Sequence, residues 1–141
     1  MTEITLTGDT LQAIALFERV TKISVIDCID TPEKILFLVR EGQATRAVGK
    51  DGEHVLKLHE RFQKNIQIVE FSNDPIIFVK NVFHGYKPDG VDIETRGKVI
   101  HATVHVDPKE KAKAIGKAGR NLKLMRDLIN RHHNIQSVSV A

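Results

Sequence analysis

The 141-residue chain is predicted to be α+β, made of two successive copies of one small unit that runs helix, strand, strand, helix, helix, strand. The first observation behind this is a repeated Gly-Lys-x-Gly element, Gly49-Lys50-Asp51-Gly52 and Gly116-Lys117-Ala118-Gly119, in which every position is offset by 67, as are Ala47 and Ala114. The second is that the same order of predicted elements surrounds each copy. The third is composition: 41% hydrophobic and 28% charged residues, with no Pro/Gly/Ser-rich tract, describe an ordered globular chain. The units are expected at 1–71 and 72–141, joined near "FSND", each with a three-stranded mixed sheet packed against its helices.

In the first unit, "GDTLQAIALFERVTK" places Leu11, Ile14, Ala15 and Phe17 at approximately helical spacing behind an Asp9/Thr10 capping signal. "ISVIDCIDT" and "KILFLVR", rich in β-branched and aliphatic residues and separated by "DTPE", predict an antiparallel pair. "QATRAV" is a short helix ending at Gly49, and "EHVLKLHERFQK" a longer one with Val55, Leu58 and Phe62 on one face. "IQIVEF" closes the unit as a strand. In the second unit, Asp74 before Pro75 starts the helix "NDPIIFVKNVF". "GVDIETR" and "VIHATVHV" are strands, the latter alternating Val99, His101, Thr103 and His105 with Ile100, Ala102, Val104 and Val106. "DPKEKAKAI" is a short helix with Asp107 as its N-cap and Pro108 at its first position, "RNLKLMRDLINRHH" a longer helix, and "IQSVSV" the last strand.

Charge divides unevenly. Residues 1–70 carry nine basic and eleven acidic side chains, a net −2, whereas residues 71–141 carry twelve and seven, a net +5. A basic second half suits a polyanionic partner. No apolar run reaches the length of a membrane span and "MTEITLTGDT" lacks the features of a signal peptide, so a cytoplasmic protein with no membrane partner is expected. The single cysteine, Cys28, has no internal disulfide partner and is expected to be buried.

A four-residue turn with glycine at both ends lets the backbone adopt conformations closed to residues with a Cβ and leaves no side chain in the way. A sugar-phosphate backbone can then approach the turn, where the N–H groups and positive end of the following helix favour phosphate oxygens. Lys50 and Lys117 add a mobile cation beside that path. Val48 and Val55, and Ile115 and Leu122, are expected to floor a groove that accepts unstacked base faces, which a paired duplex would hide. Lys111 and Lys113 lie just upstream of the second turn, while Arg120 and Lys123 follow it. The turns differ in charge: Asp51 and Glu53 in the first repel a phosphate path by on the order of 1 kcal/mol each, less at high salt. Ala118 and Arg120 occupy those positions in the second, which is therefore expected to bind more tightly.

"AVGKDGEHV" and "AIGKAGRNL" resemble the GxxG core of KH domains, and the order of elements resembles the type II arrangement of that family. Two such domains in tandem, across essentially the whole chain, are similar to the archaeal NusA-like transcription factors. Bacterial NusA proteins carry in addition a polymerase-binding domain and an S1 domain, for which 141 residues leave no room. The resemblance implies a protein that binds single-stranded RNA in transcription termination or antitermination. RNA polymerase or the transcription complex is a further implied partner, and a monomer is expected. The alternatives are a protein-interaction module, in which an acidic first domain contacts polymerase or a ribosomal protein and only the second holds RNA, or a ribosome assembly factor.

Other chemistry finds little support. "GKDGEHVL" and "GKAGRNLK" lack the GxxxxGK[ST] spacing of a nucleotide-binding loop. His101 and His105 are too far apart along a strand for simple chelation, and adjacent His132 and His133 are expected to be solvated or to cap a helix end. No nucleophile stands in a recognisable catalytic motif, so no enzymatic activity, cofactor or metal is expected.

Overall fold

The computed structural model describes residues 8–141, which divide into two compact units on either side of the Ser72–Asn73 bond. The first contains α1 (Gly8–Thr21), β1 (Val25–Asp30), β2 (Lys34–Val39), α2 (Ala44–Val48), α3 (Glu53–Phe62) and β3 (Asn65–Glu70). The second contains α4 (Pro75–Val82), β4 (Pro88–Arg96), β5 (Val99–Val106), α5 (Lys111–Ile115), α6 (Arg120–His132) and β6 (Ser137–Val140). In each sheet the middle strand pairs antiparallel with the strand before it and parallel with the one after the two helices, giving the orders β1-β2-β3 and β4-β5-β6. The parallel pairing follows from the connection, since a crossover of two helices returns the chain in its original direction.

In the first unit, α1 and α3 pack over Ile35, Phe37 and Val39 of β2, with Cys28 inside the same cluster. Phe17 and Phe37 stack with ring centroids 4.3 Å apart. In the second, Phe78, Val79 and Val82 of α4 and Leu124, Met125, Leu128 and Ile129 of α6 are buried, as are Ala102, Val104 and Val106 of β5. Asp74 caps α4, its Oδ1 accepting from the N–H groups of Ile76 (2.9 Å) and Ile77 (3.4 Å).

Three local expectations are corrected, the inward stripe of α1, its cap and the cap of α5. α1 buries Ala13 and Phe17, one turn apart, while Leu11 and Ala15 are exposed. Asp9 and Thr10 lie inside the helix, where Asp9 meets its positive end as a first-turn acid. α5 begins at Lys111, because Asp107 caps a preceding turn instead: its Oδ1 accepts from Lys109 N–H (2.9 Å) and its carbonyl from Glu110 N–H (2.8 Å). His101 is buried; its ring nitrogens lie 2.7 Å from Ser137 Oγ and 2.9 Å from Ser139 Oγ on the neighbouring strand. Strand alternation reported its face but not that β6 would supply hydroxyls to satisfy it. The rings of His132 and His133 lie against Phe78.

Candidate nucleic-acid interface

Each Gly-Lys-x-Gly segment ends in a turn of 3-10 helix, Lys50–Gly52 or Lys117–Gly119, between a five-residue helix and a longer one. The backbone path is the same in both. Gly49 (φ 83°, ψ 168°) corresponds to Gly116 (78°, 171°), Asp51 (55°, 26°) to Ala118 (56°, 25°), and Gly52 (73°, 20°) to Gly119 (72°, 13°). The first glycine of each turn has φ and ψ that residues with a Cβ essentially do not adopt. The third position is left-handed, which Asp tolerates and which costs an Ala about 1 kcal/mol. Each turn is closed by the N–H of its last glycine donating to the carbonyl of its first, at 3.1 Å in both units.

A pair of side chains that carry no recognisable motif locks the two turns. His54 and Asn121 are also 67 positions apart, each the second residue of its long helix. His54 Nδ1 lies 3.2 Å from the carbonyls of both Arg46 and Ala47; because both are acceptors, the ring donates from Nδ1. Asn121 Nδ2 donates to the carbonyl of Ala114 at 2.7 Å. These latches tie the short helix to the long one across the turn. They also press on the first glycine: a Cβ on Gly49 would lie 2.8 Å from His54 Nδ1, and one on Gly116 would lie 2.7 Å from Asn121 Cβ and 3.0 Å from its backbone nitrogen. The signal for the pair was present in their shared offset, but nothing local distinguishes a latch from an ordinary polar residue at a helix start.

In the second unit the latch has a further neighbour. Burial pushes the Tyr86 hydroxyl above the usual phenol range, a hydrogen bond with Asn121 acts in the opposite direction, and the charge of Glu110 adds to the rise.

Val48, Val55, Ile115 and Leu122 are half-buried, each dividing its side chain between the interior and the surface beside a turn. Lys50, Asp51, Glu53, Lys111, Lys113, Lys117, Ala118, Arg120 and Lys123 are exposed, and Gly49, Gly52, Gly116 and Gly119 are intermediate. The resulting surface is a glycine-lined turn with an aliphatic margin, at the head of a helix of ten residues in one unit and thirteen in the other. Such a turn can admit a phosphate close to backbone N–H groups. Its electrostatics differ between the copies: exposed Asp51 and Glu53 accompany Lys50 at the first, whereas exposed Arg120 and Lys123 accompany Lys117 at the second. At the position of Lys123 the first unit carries Leu56, 65% exposed. Among the described residues, no group of three or more His, Cys, Asp or Glu is arranged to hold a metal ion, and no helix is long and apolar enough to cross a membrane.

Comparison with known proteins agrees with this architecture. The KH domain family model matches residues 12–99, and the model of the NusA-like second KH domain matches residues 75–141. The chain is 35% identical over 140 residues to the probable transcription termination protein NusA of Thermoplasma acidophilum, covering 99% of this chain and 97% of that protein. It is 31% identical to the protein of the same name from Methanocaldococcus jannaschii, covering 99% and 76%. The crystal structure of APE1850 superposes with a TM-score of 0.73 at 33% identity, covering 96% of this chain and all of that one.

Proposed function

This chain belongs to the archaeal NusA-like family of tandem KH-domain proteins, and we propose that it binds single-stranded RNA through its two GxxG turns and acts in transcription termination or antitermination. The observation that carries the reading is the near-identity of the two turn backbones, each with positive φ at three of its four positions. A strained backbone held twice in the same form, and latched twice by the residue at the same offset, is supported as a functional device rather than an incidental connection. A phosphate settles against the first glycine and the leading N–H groups of α3 or α6, Lys50 or Lys117 adds charge, and an unstacked base lies on Val48 and Val55 or Ile115 and Leu122. The chain clamps RNA and performs no chemistry on it.

A second reading is favoured by one feature of the first unit: Leu56 is exposed beside acidic Asp51 and Glu53, a combination suited to a protein partner such as RNA polymerase, with RNA held by the second unit alone. Chemical-shift mapping with short single-stranded RNA separates the two. Perturbation around both Gly49–Gly52 and Gly116–Gly119 is expected if both turns clamp. Shifts at the second turn alone support the mixed role, and shifts at neither sink RNA binding through these turns.

A further inference from the structure

Where α1 passes into β1 and β2 into α2, a cavity in the first unit is lined by Lys22, Ile23, Ser24, Arg40, Gln43 and Arg46. Its three cations come from three different segments and are exposed, and none is ion-paired with a carboxylate among the described residues. Two carboxylates on the adjoining elements are engaged by backbone, Glu18 Oε2 accepting from Val25 N–H (2.8 Å) and Glu70 Oε1 from Ala44 N–H (3.2 Å), while exposed Glu41, next to Arg40, is not among the residues that line the cavity. The corner itself is held. Thr21 Oγ1 donates to Phe17 O (2.8 Å) and accepts from Ile23 N–H (3.1 Å), Lys22 sits at φ 63°, and Gln43 N–H donates to Arg40 O (3.1 Å).

The second unit cancels this charge, with Lys87 in the place of Ser24. Val25 pairs with Val39 as Pro88 pairs with Val106, so Arg40 corresponds to Asp107, Gln43 to Glu110, Ile23 to Tyr86 and Lys22 to Gly85, leaving Lys113 as the counterpart of Arg46. The influence of Glu110 on Tyr86 places an acid beside that second corner. The first unit thus has an acidic turn and a basic corner; the second has a basic turn and a corner where Asp107 and Glu110 offset Lys87 and Lys113.

We propose that Lys22, Arg40 and Arg46 form a phosphate subsite of the first domain, which takes a backbone phosphate of an RNA strand continuing past the Gly49–Gly52 turn along α2. The assignment deepens the RNA-binding reading and rests on it. Two guanidinium forks and one ammonium converging without a counterion repel one another until an anion enters, and guanidinium matches phosphate geometry bidentately. The cavity and the turn share α2: Arg46 lies three residues before Gly49, about 4.5 Å along a helix, and its carbonyl is one of the two that meet the His54 latch. The basic corner supplies the attraction that Asp51 and Glu53 remove from the turn.

The test uses the full chain and a single-stranded RNA titrated across a range of salt. The triple variant Lys22→Gln, Arg40→Gln, Arg46→Gln is expected to bind about five- to tenfold more weakly, with a salt slope shallower by about 0.7 for each phosphate that the corner no longer neutralises. Its thermal unfolding temperature is expected to be no lower than the parent's, since all three side chains are exposed and their mutual repulsion is removed. The double variant Lys117→Gln, Arg120→Gln reports on the turns independently. If it weakens binding while the triple variant keeps both the parent affinity and slope, the corner is no RNA subsite and the broader reading stands. If the parent chain binds no RNA, that reading fails and the subsite with it. Inorganic phosphate, followed by the guanidinium signals of Arg40 and Arg46, distinguishes the other source of the same chemistry: saturation by the free ion with no competition from RNA overturns the assignment.

Discussion

The first GxxG turn carries Asp51 and Glu53 where the second carries Ala118 and Arg120, yet the two backbones agree in φ and ψ to within a few degrees. Backbone path and surface charge are therefore separable in this fold. The path is held by two glycines and a latch from the second residue of the following helix, and none of these depends on what the exposed positions carry. Charge is free to move, and between the two units it has moved in opposite directions at the turn and at the corner beside the short helix.

The largest expected effect tests the path. Gly116→Ala forces a Cβ against the backbone nitrogen of Asn121, whereas in Gly49→Ala the nearest atoms belong to the His54 ring, which can swing away. Both incur the strain of positive φ, and Gly116→Ala is expected to cost about 3 kcal/mol in denaturant unfolding against about 2 for Gly49→Ala. RNA affinity is expected to fall at least about tenfold in the first. Equal costs would mean that the two latches give way equally and that Asn121 is no more rigid than His54.

Exchanging charge tests the other half of the comparison. Ala118→Asp with Arg120→Glu is expected to weaken RNA binding about tenfold, and Asp51→Ala with Glu53→Arg to strengthen it by a similar factor, in titrations at one low salt concentration. Stability is expected to move the other way at the third turn position. Ala118→Asp relieves left-handed strain and Asp51→Ala introduces it, by about 1 kcal/mol. Affinity and stability changing together would show that the turn backbone had rearranged.

Smaller effects come from the latches. His54→Ala and Asn121→Ala are each expected to cost about 1 kcal/mol of unfolding free energy. Only the second changes the environment of Tyr86, whose phenol titration is expected to move further upward once the Asn121 hydrogen bond is gone. With one tyrosine and no tryptophan in the chain, phenolate absorbance reads this directly.

A change of pH distinguishes the sheets. Lys34, at the start of the first middle strand, is lowered by burial to about 8 from its ordinary 10.5, and its Nζ donates to Gln67 at 2.6 Å; the second unit has His101 at that position. The unfolded chain binds the Lys34 proton more tightly than the folded one. The first unit is therefore expected to gain stability as pH rises from about 8 toward 10.5, and Lys34→Met to abolish the gain. A flat profile in the parent would show that the ammonium is adequately solvated in the fold.

Much of this was legible in the chain. Asp74-Pro75 marked a helix start that the structure shows capped, and Val104 and Val106 declared the inner face of β5, because capping and strand alternation depend on a few neighbouring residues. Legibility failed where a competing partner lay elsewhere. Asp107 looked like the cap of α5, but a turn to Glu110 used it first. The spacing of Leu11 and Ala15 suited a helix, but which stripe of α1 faces inward is set by the sheet it meets, and Ala13 and Phe17 meet it.

By itself, then, the sequence determined the duplicated order of elements, the location of both glycine turns and the sign of charge on each, all carried by residues within a few positions of one another. Tertiary structure decided that His54 and Asn121 reach back over the turns, that His101 finds two serines on β6, and that Lys22, Arg40 and Arg46 share one cavity. The physical reason is range. A turn is specified by its own dihedral angles, but a cluster of cations drawn from the ends of α1 and β2 and from α2 exists only after strand pairing has brought those ends together.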